Sequence, residues 1–294
     1  DLAKADKRVC AITAAMPGGT GLLGFRNAFP GRLFDVGIAE EHAVSMAGGL
    51  AKQGARPVVA IYSTFFQRAY DQILQDIALL QLPVVLAVDR AGLVGEDGPT
   101  HHGVFDVGFL RQVPGMKILC PACHSELREM LRWAVLECDG PVAVRYPRGS
   151  EGAFRAKPWD PQSSLERWYN GTDAAIITYG SLINQAMEAA RQLRERDIHV
   201  TVIRLMSLNP VPADALGGLC CGIKSFLILE EANCGIAESI ACALYDRVPG
   251  CQVAIRALGP DFTPHGDMTS LYKATGLDAD SITKQVCEVL AHEE

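Results

Sequence analysis

Short runs of β-branched and aliphatic residues alternate with stretches of helical periodicity along the whole chain. Arg8–Thr13, Pro57–Tyr62, Pro83–Val88, Lys117–Cys120 and Pro141–Tyr146 carry almost unbroken apolar runs, the pattern of strands buried on both faces. Between them, Tyr70, Ile73, Leu74 and Ile77 recur at helical spacing, as do Leu127, Met130, Leu131 and Ala134. Strands alternating with helices of this length need crossover connections, and crossovers make a parallel sheet. Ligands then belong at the carboxyl ends of the strands.

The pattern lapses from Glu151 to Gly171, where proline and polar residues show no periodicity. It resumes at Ala174–Tyr179 and continues through strands near His199–Leu205, Ser225–Glu230 and Gln252–Leu258 with helices between. The expectation is two α/β domains with mainly parallel sheets, 1–150 and 173–294, joined by a linker over 151–172.

A length of 294 residues suits two domains, and 49% apolar with 21% charged residues is a globular composition. The net charge of -7 argues against general nucleic-acid binding. No apolar run is long enough to span a bilayer and no signal peptide is present, so the chain is expected in the cytoplasm. It opens at Asp1 almost directly into a strand, which suggests a cut chain. Ten cysteines sit mostly within apolar segments and read as free buried thiols. Cys120 and Cys123 have redox-pair spacing at a strand-to-helix junction, where a helix start can lower a thiol pKa. A zinc site there would need more ligands than His124 supplies, and the pair reads as incidental.

Four segments are candidates for chemistry. Gly19-Thr20-Gly21-Leu22-Leu23-Gly24 has the glycine spacing of a dinucleotide loop. Met16-Pro17-Gly18 separates it from the strand, however, and Asp35 comes too early to serve a ribose, so a nicotinamide dehydrogenase is disfavoured. Asp35-Val-Gly-Ile-Ala-Glu40-Glu41-His42 leads into a helix whose apolar face carries Val44, Ala47, Leu50 and Ala51. Taken alone, those acids are ordinary complements to a helix dipole. Tyr62-Ser-Thr-Phe65-Phe-Gln-Arg68, and the loop Asp89-Arg90-Ala-Gly92 through Glu96-Asp97-Gly98-Pro-Thr-His101-His102-Gly103, both begin where strands are expected to end. A loop so rich in glycine, holding a cation, carboxylates and two imidazoles, is hard to explain as packing.

With Val-Arg-Tyr-Pro-Arg148-Gly, these segments resemble, in order, those of the 1-deoxy-D-xylulose-5-phosphate synthase family of thiamine-diphosphate enzymes. The resemblance is close over Lys4–Gly149. It is looser beyond, where Leu229-Glu-Glu231 and Thr263-Pro-His-Gly266 echo it. It implies a transferase of the transketolase type that joins a two-carbon unit of pyruvate, with loss of CO2, to D-glyceraldehyde 3-phosphate. The product, 1-deoxy-D-xylulose 5-phosphate, feeds isoprenoid, thiamine and pyridoxal synthesis. In such enzymes the cofactor carries the carbon chemistry and the protein orients it. By the resemblance, Glu40 hydrogen-bonds the aminopyrimidine ring and acts in catalysis, and Phe65 stacks on that ring. Tyr62, Arg68, Asp97 and His101 surround the substrate, with Asp97 and His101 also catalytic and Tyr62 beside the cofactor. Arg90 and Arg148 hold the acceptor's phosphate, a task suited to forked guanidinium donors.

The family's Gly-Asp-Gly segment and metal-binding Asn are not in the sequence. The resemblance therefore implies that Mg2+ and the diphosphate lie on an amino-terminal domain supplied in cis or in trans, and that this chain alone is inactive. It also implies a homodimer. The stretch after Glu231 is shorter than the family's glycine-containing loop. Two other readings share the two-domain build: a transketolase C-terminal half or 2-oxoacid dehydrogenase beta-type subunit, and a non-catalytic dimerisation or regulatory module. The Asp89–Gly103 loop speaks against the former, and the presence of Glu40, Arg90, Asp97, His101 and Arg148 together against the latter.

Overall fold

The computed structural model describes residues 1–291. Among the described residues, twelve strands form two sheets. The first contains β1 (Val9–Thr13), β2 (Leu33–Asp35), β3 (Arg56–Tyr62), β4 (Val85–Asp89), β5 (Lys117–Leu119) and β6 (Val142–Tyr146). The second contains β7 (Leu165–Trp168), β8 (Ala174–Tyr179), β9 (Val200–Leu205), β11 (Ser225–Leu229) and β12 (Gln252–Arg256). The remaining strand, β10 (Ser207–Asn209), leaves the second domain and pairs antiparallel with β5 at the edge of the first sheet.

The first sheet runs β10-β5-β6-β4-β3-β1-β2, and all pairings except β10 with β5 are parallel. Every residue of β1 and β4 is buried, which is why their sequences are apolar up to the last residue, Thr13 and Asp89, and do not alternate. The second sheet runs β12-β11-β8-β9-β7, with β7 antiparallel at one edge. The expected linker, 151–172, is thus shorter than read: Leu165–Trp168 is a strand of the second sheet. Its Leu-Glu-Arg-Trp sequence gives little apolar signal, because a short edge strand buries little of its surface.

The helix Glu40–Lys52 packs Ala43, Val44, Ala47 and Ala51 inward, and Leu50 is half-buried. The periodic stretch from Tyr70 begins as an α-turn, Tyr70–Gln72, and widens into a π-turn over Ile73–Ala78. There it presses the Asp76 carbonyl against Gly48, where a β-carbon would stand 2.5 Å from that oxygen.

Two buried ion networks hold the domains together. Arg204 of β9 donates to both oxygens of Glu126, at 2.6 and 2.7 Å, and to Glu166 of β7 at 2.8 Å. Arg145 of β6 donates to Asp106 at 3.0 and 3.3 Å and lies 5.4 Å from the centre of the Tyr179 ring. Satisfied on several sides, such charges specify one docking more than they add stability.

Candidate active site

Strand order reverses beside β1. The chain leaves β1 towards β2 on one side, whereas β3 and β4 lie on the other. The loops after β1 and β3 therefore diverge, and a crevice opens at their carboxyl ends. It has a volume of about 470 Å³ and is lined by Ala14 to Gly19, Ile38, Glu40, Tyr62, Phe65 and Arg68. Asp35, at the end of β2, shapes its wall by accepting hydrogen bonds from the amides of Ala15 (2.8 Å) and Gly37 (3.2 Å).

Glu40 is the first residue of its helix and is 2% exposed. A carboxylate at that position faces the unpaired amides of the first turn. Its Oε1 accepts from Arg68 Nη1 at 2.6 Å, and Arg68 also lies 4.8 Å from the centre of the Phe65 ring. Phe65 and Tyr62 stack with centroids 5.8 Å apart, and His101 meets the edge of Phe65 at 5.5 Å. The cleft thus combines a buried carboxylate, a flat aromatic wall and a bordering imidazole.

Arg90 lies 3.7 Å from the centre of the Tyr62 ring and donates to the Gly19 carbonyl at 3.0 Å and to Asp89 at 3.1 Å. Its φ of 60° is rare for a non-glycine residue, and the ring contact and two hydrogen bonds hold it there. Burial pushes the Asp89 carboxyl up, opposed by Arg90. Arg148 forms an ion pair with Asp97 and reaches the Val94 carbonyl at 3.4 Å. Of the eight expected site residues, Glu40, Tyr62, Phe65 and Arg68 line the cleft, and Arg90 and His101 touch its Tyr62 and Phe65 rings. Asp97 and Arg148 contact each other and none of the cleft's lining. His101 and Asp97 share one loop, four residues apart.

The glycine motif has an explanation without a nucleotide. A β-carbon on Gly19 would lie 1.7 Å from Tyr62 Oη, and Gly21 has φ 73°, whereas Gly24 has nothing within 4 Å. One glycine admits Tyr62, one makes a turn, and one is free of both demands.

His102 went unrecognised in the sequence as a separate actor. It is buried, accepts from the Val94 amide through Nδ1 at 3.0 Å, and contacts the Pro264 carbonyl through Nε2 at 3.1 Å. With one nitrogen accepting, Nε2 carries the proton and donates. Glu230 accepts from Tyr179 Oη at 2.8 Å and from the Ile236 and Ala237 amides, capping the helix Ala237–Arg247. This is how the short segment after Glu231 closes. It folds over Glu230, and a β-carbon on Gly235 would lie 2.0 Å from the carboxylate. All ten cysteines are free, and burial pushes the Cys120 thiol up rather than down. Among the described residues, no group of three His, Cys, Asp or Glu side chains is placed to hold a metal ion.

The family of the transketolase pyrimidine binding domain matches residues 1–152, and that of the transketolase C-terminal domain matches residues 164–282. The chain belongs to the transketolase family. It is 44% identical over 294 residues to the 1-deoxy-D-xylulose-5-phosphate synthase of Chlorobium phaeovibrioides, covering 97% of this chain and 46% of that protein. It is also 44% identical over 299 residues to the synthase of Thermomicrobium roseum, covering 99% and 47%. The chain thus spans about half the length of the curated relatives it matches. Among solved structures, a split gene transketolase described as an inactive beta4 tetramer superposes with a TM-score of 0.88 at 25% identity, covering 99% of this chain and 94% of that one. The transketolase of Campylobacter jejuni shares the fold, with a TM-score of 0.81 at 17% identity, over 98% of this chain and 44% of that one.

Proposed function

We propose that this transketolase-family chain forms the aminopyrimidine half of a thiamine-diphosphate site in a 1-deoxy-D-xylulose-5-phosphate synthase. The observation that carries the reading is the buried Glu40 carboxylate in a cleft walled by Phe65 and Tyr62, at the sheet's switch point. An aminopyrimidine is flat and offers a ring nitrogen. It fits between an aromatic face and a carboxyl held in a dry recess. Glu40, Phe65 and Tyr62 would hold thiamine diphosphate by its aminopyrimidine, and the cofactor would supply a thiazolium carbon able to carry the charge left by decarboxylation of pyruvate.

The chain's own residues orient and exchange protons. Glu40 shares a proton with the ring nitrogen, which requires Arg68 to yield part of its 2.6 Å contact. Arg68, so released, faces the carboxylate of pyruvate. His101, in T-shaped contact with Phe65, is assigned the movement of a proton at the substrate's oxygen. Arg90 and Arg148 take the phosphate of D-glyceraldehyde 3-phosphate, with Asp97 holding Arg148 until then.

On this reading Mg2+ and the diphosphate are held by a further domain, in cis or in trans, since the chain spans about half the length of its curated relatives. The relative described as an inactive tetramer has nearly this chain's extent, which supports inactivity of this chain alone and self-association, read here as a homodimer. A cytoplasmic location is part of the same reading; among the described residues no helix is long and apolar enough to cross a membrane.

The test is reconstitution. The chain is mixed with the half of a curated relative that it does not span, made as a separate polypeptide, together with thiamine diphosphate, Mg2+ and both substrates. Formation of 1-deoxy-D-xylulose 5-phosphate only in the mixture supports the reading. A well-folded, associated mixture that consumes no pyruvate contradicts it.

A further inference from the structure

The loop 92–103 is closed at its neck and fastened from the C-terminal domain. Gly92 and Gly103 exchange backbone hydrogen bonds at 2.7 and 2.8 Å. Immediately beyond, the Leu93 amide donates to Glu231 Oε1 at 2.9 Å, and Tyr272 Oη reaches Oε2 at 3.4 Å. Gly92, at φ 86°, lies so close that a β-carbon there would stand 2.8 Å from the Glu231 carboxyl carbon. Two weaker fastenings follow: His102 on the Pro264 carbonyl, and the Gly266 amide on the Gly95 carbonyl at 3.4 Å.

Glu231 follows the end of β11, and β11 and β8 flank the point where strand order reverses in the second sheet. That crevice, a ligand site in many open sheets, is here filled by the neighbouring domain. The groups facing Glu231 are the Leu93 amide of the loop, Tyr272 of the helix Met268–Thr275, Arg145 of β6 and Asp106 at the head of its helix.

We propose that Glu231 is a positioning residue for the loop 92–103, fixing its neck from the C-terminal domain and, through it, the placement of Asp97 and His101, and that ionisation of Glu231 loosens this hold. The link to catalysis rests on the function proposed above, whereas the attachment of the loop does not.

Burial pushes the Glu231 carboxyl up to about 7; the Leu93 amide, Arg145 and Tyr272 hold it down, and Asp106 pushes it further up. Opening the neck would return it to water and to its ordinary value of 4.5. Between those values the closed neck binds a proton that the open one has released. Each pH unit gained there favours opening about tenfold, and the effect levels off above about 7. From pH 5 to pH 8 the opening equilibrium should therefore rise on the order of a hundredfold.

Hydrogen–deuterium exchange on the purified chain, corrected for intrinsic exchange rates, reads this at the Leu93, Val94 and Gly103 amides without any cofactor. Protection in the wild type should fall on the order of a hundredfold across that range. In Glu231→Gln, which keeps the acceptor but cannot ionise, it should stay level. Tyr272→Phe removes a bond that favours the ionised carboxylate, so the midpoint of the fall should move to higher pH. A level wild-type profile, a wild-type slope surviving in Glu231→Gln, or an unmoved midpoint in Tyr272→Phe would each overturn the proposal. A positive result with inactive reconstituted enzyme would leave the loop's attachment standing and count against the catalytic reading alone.

Discussion

Replacing Gly19 by alanine should disturb the cleft from its wall, and the structure sets the size of the effect. The added β-carbon would lie 1.7 Å from Tyr62 Oη and 2.8 Å from Cζ, so something must move. Tyr62 is held on two sides, by Phe65 stacked at 5.8 Å and by Arg90 at 3.7 Å. Turning the ring away forfeits about 0.5–1.5 kcal/mol of aromatic pairing and about 0.5–1 kcal/mol of cation–π attraction. Moving the Gly19 backbone instead breaks its 3.0 Å hydrogen bond from Arg90, worth about 1.5–3 kcal/mol with a charged donor. Either route costs about 1–3 kcal/mol.

Gly18→Ala is the matched control, because its nearest new neighbour is Leu23 Cδ1 at 3.9 Å. Neither glycine has a positive φ, so the stiffening of the unfolded chain is common to both variants and cancels. Calorimetric melting should place Gly19→Ala several degrees below Gly18→Ala, at about 2–4 °C per kcal/mol for a domain of this size. Equal melting of the two variants would refute the close approach of Tyr62 and with it the geometry of the aromatic wall.

Other outcomes are as specific. Asp106→Ala strands the buried Arg145 guanidinium and should cost about 3–5 kcal/mol in denaturant unfolding, a loss that Arg145→Met with Asp106→Leu should largely recover. Thiol titration of the folded chain should find the exposed Cys221, Cys234 and Cys242 reactive and Cys120 and Cys123 unreactive; rapid labelling of Cys120 would revive a redox role. In reconstituted enzyme, Arg90→Ala or Arg148→Ala should reduce kcat/KM for D-glyceraldehyde 3-phosphate about ten- to hundredfold more than for unphosphorylated glyceraldehyde, and equal losses would make both arginines structural.

The fold was legible where burial is complete. β1, β4, β8 and β11 are buried throughout and almost wholly apolar, and the sequence shows them within a residue or two. β7 and β10 were not legible, since one is a short edge strand with charged residues and the other exists only by pairing with the opposite domain. The π-turn at Ile73 was hidden for a related reason: its apolar spacing matches an α-helix, and only the contact with Gly48 distinguishes it. In the site, strand-end placement brought Glu40, Tyr62, Phe65 and Arg68 together on one cleft. Ion pairing was invisible to that reasoning. Nothing in the spacing of 28 residues says that Arg68 lies on Glu40, nor that Asp97 meets Arg148 across 51. Glu231 stood out in the sequence only as part of a Leu-Glu-Glu echo, and its place at the loop's neck depends on how two domains dock.

The central claim is that Glu40 exchanges a proton with an aminopyrimidine in this cleft. The most direct measurement is exchange of the thiazolium C2 proton of thiamine diphosphate with solvent, followed by NMR in the reconstituted mixture. The wild-type chain should accelerate exchange by orders of magnitude over free cofactor, with Glu40→Gln folding normally, assembling, and leaving exchange near the free rate. Near-wild-type exchange in Glu40→Gln would contradict the account.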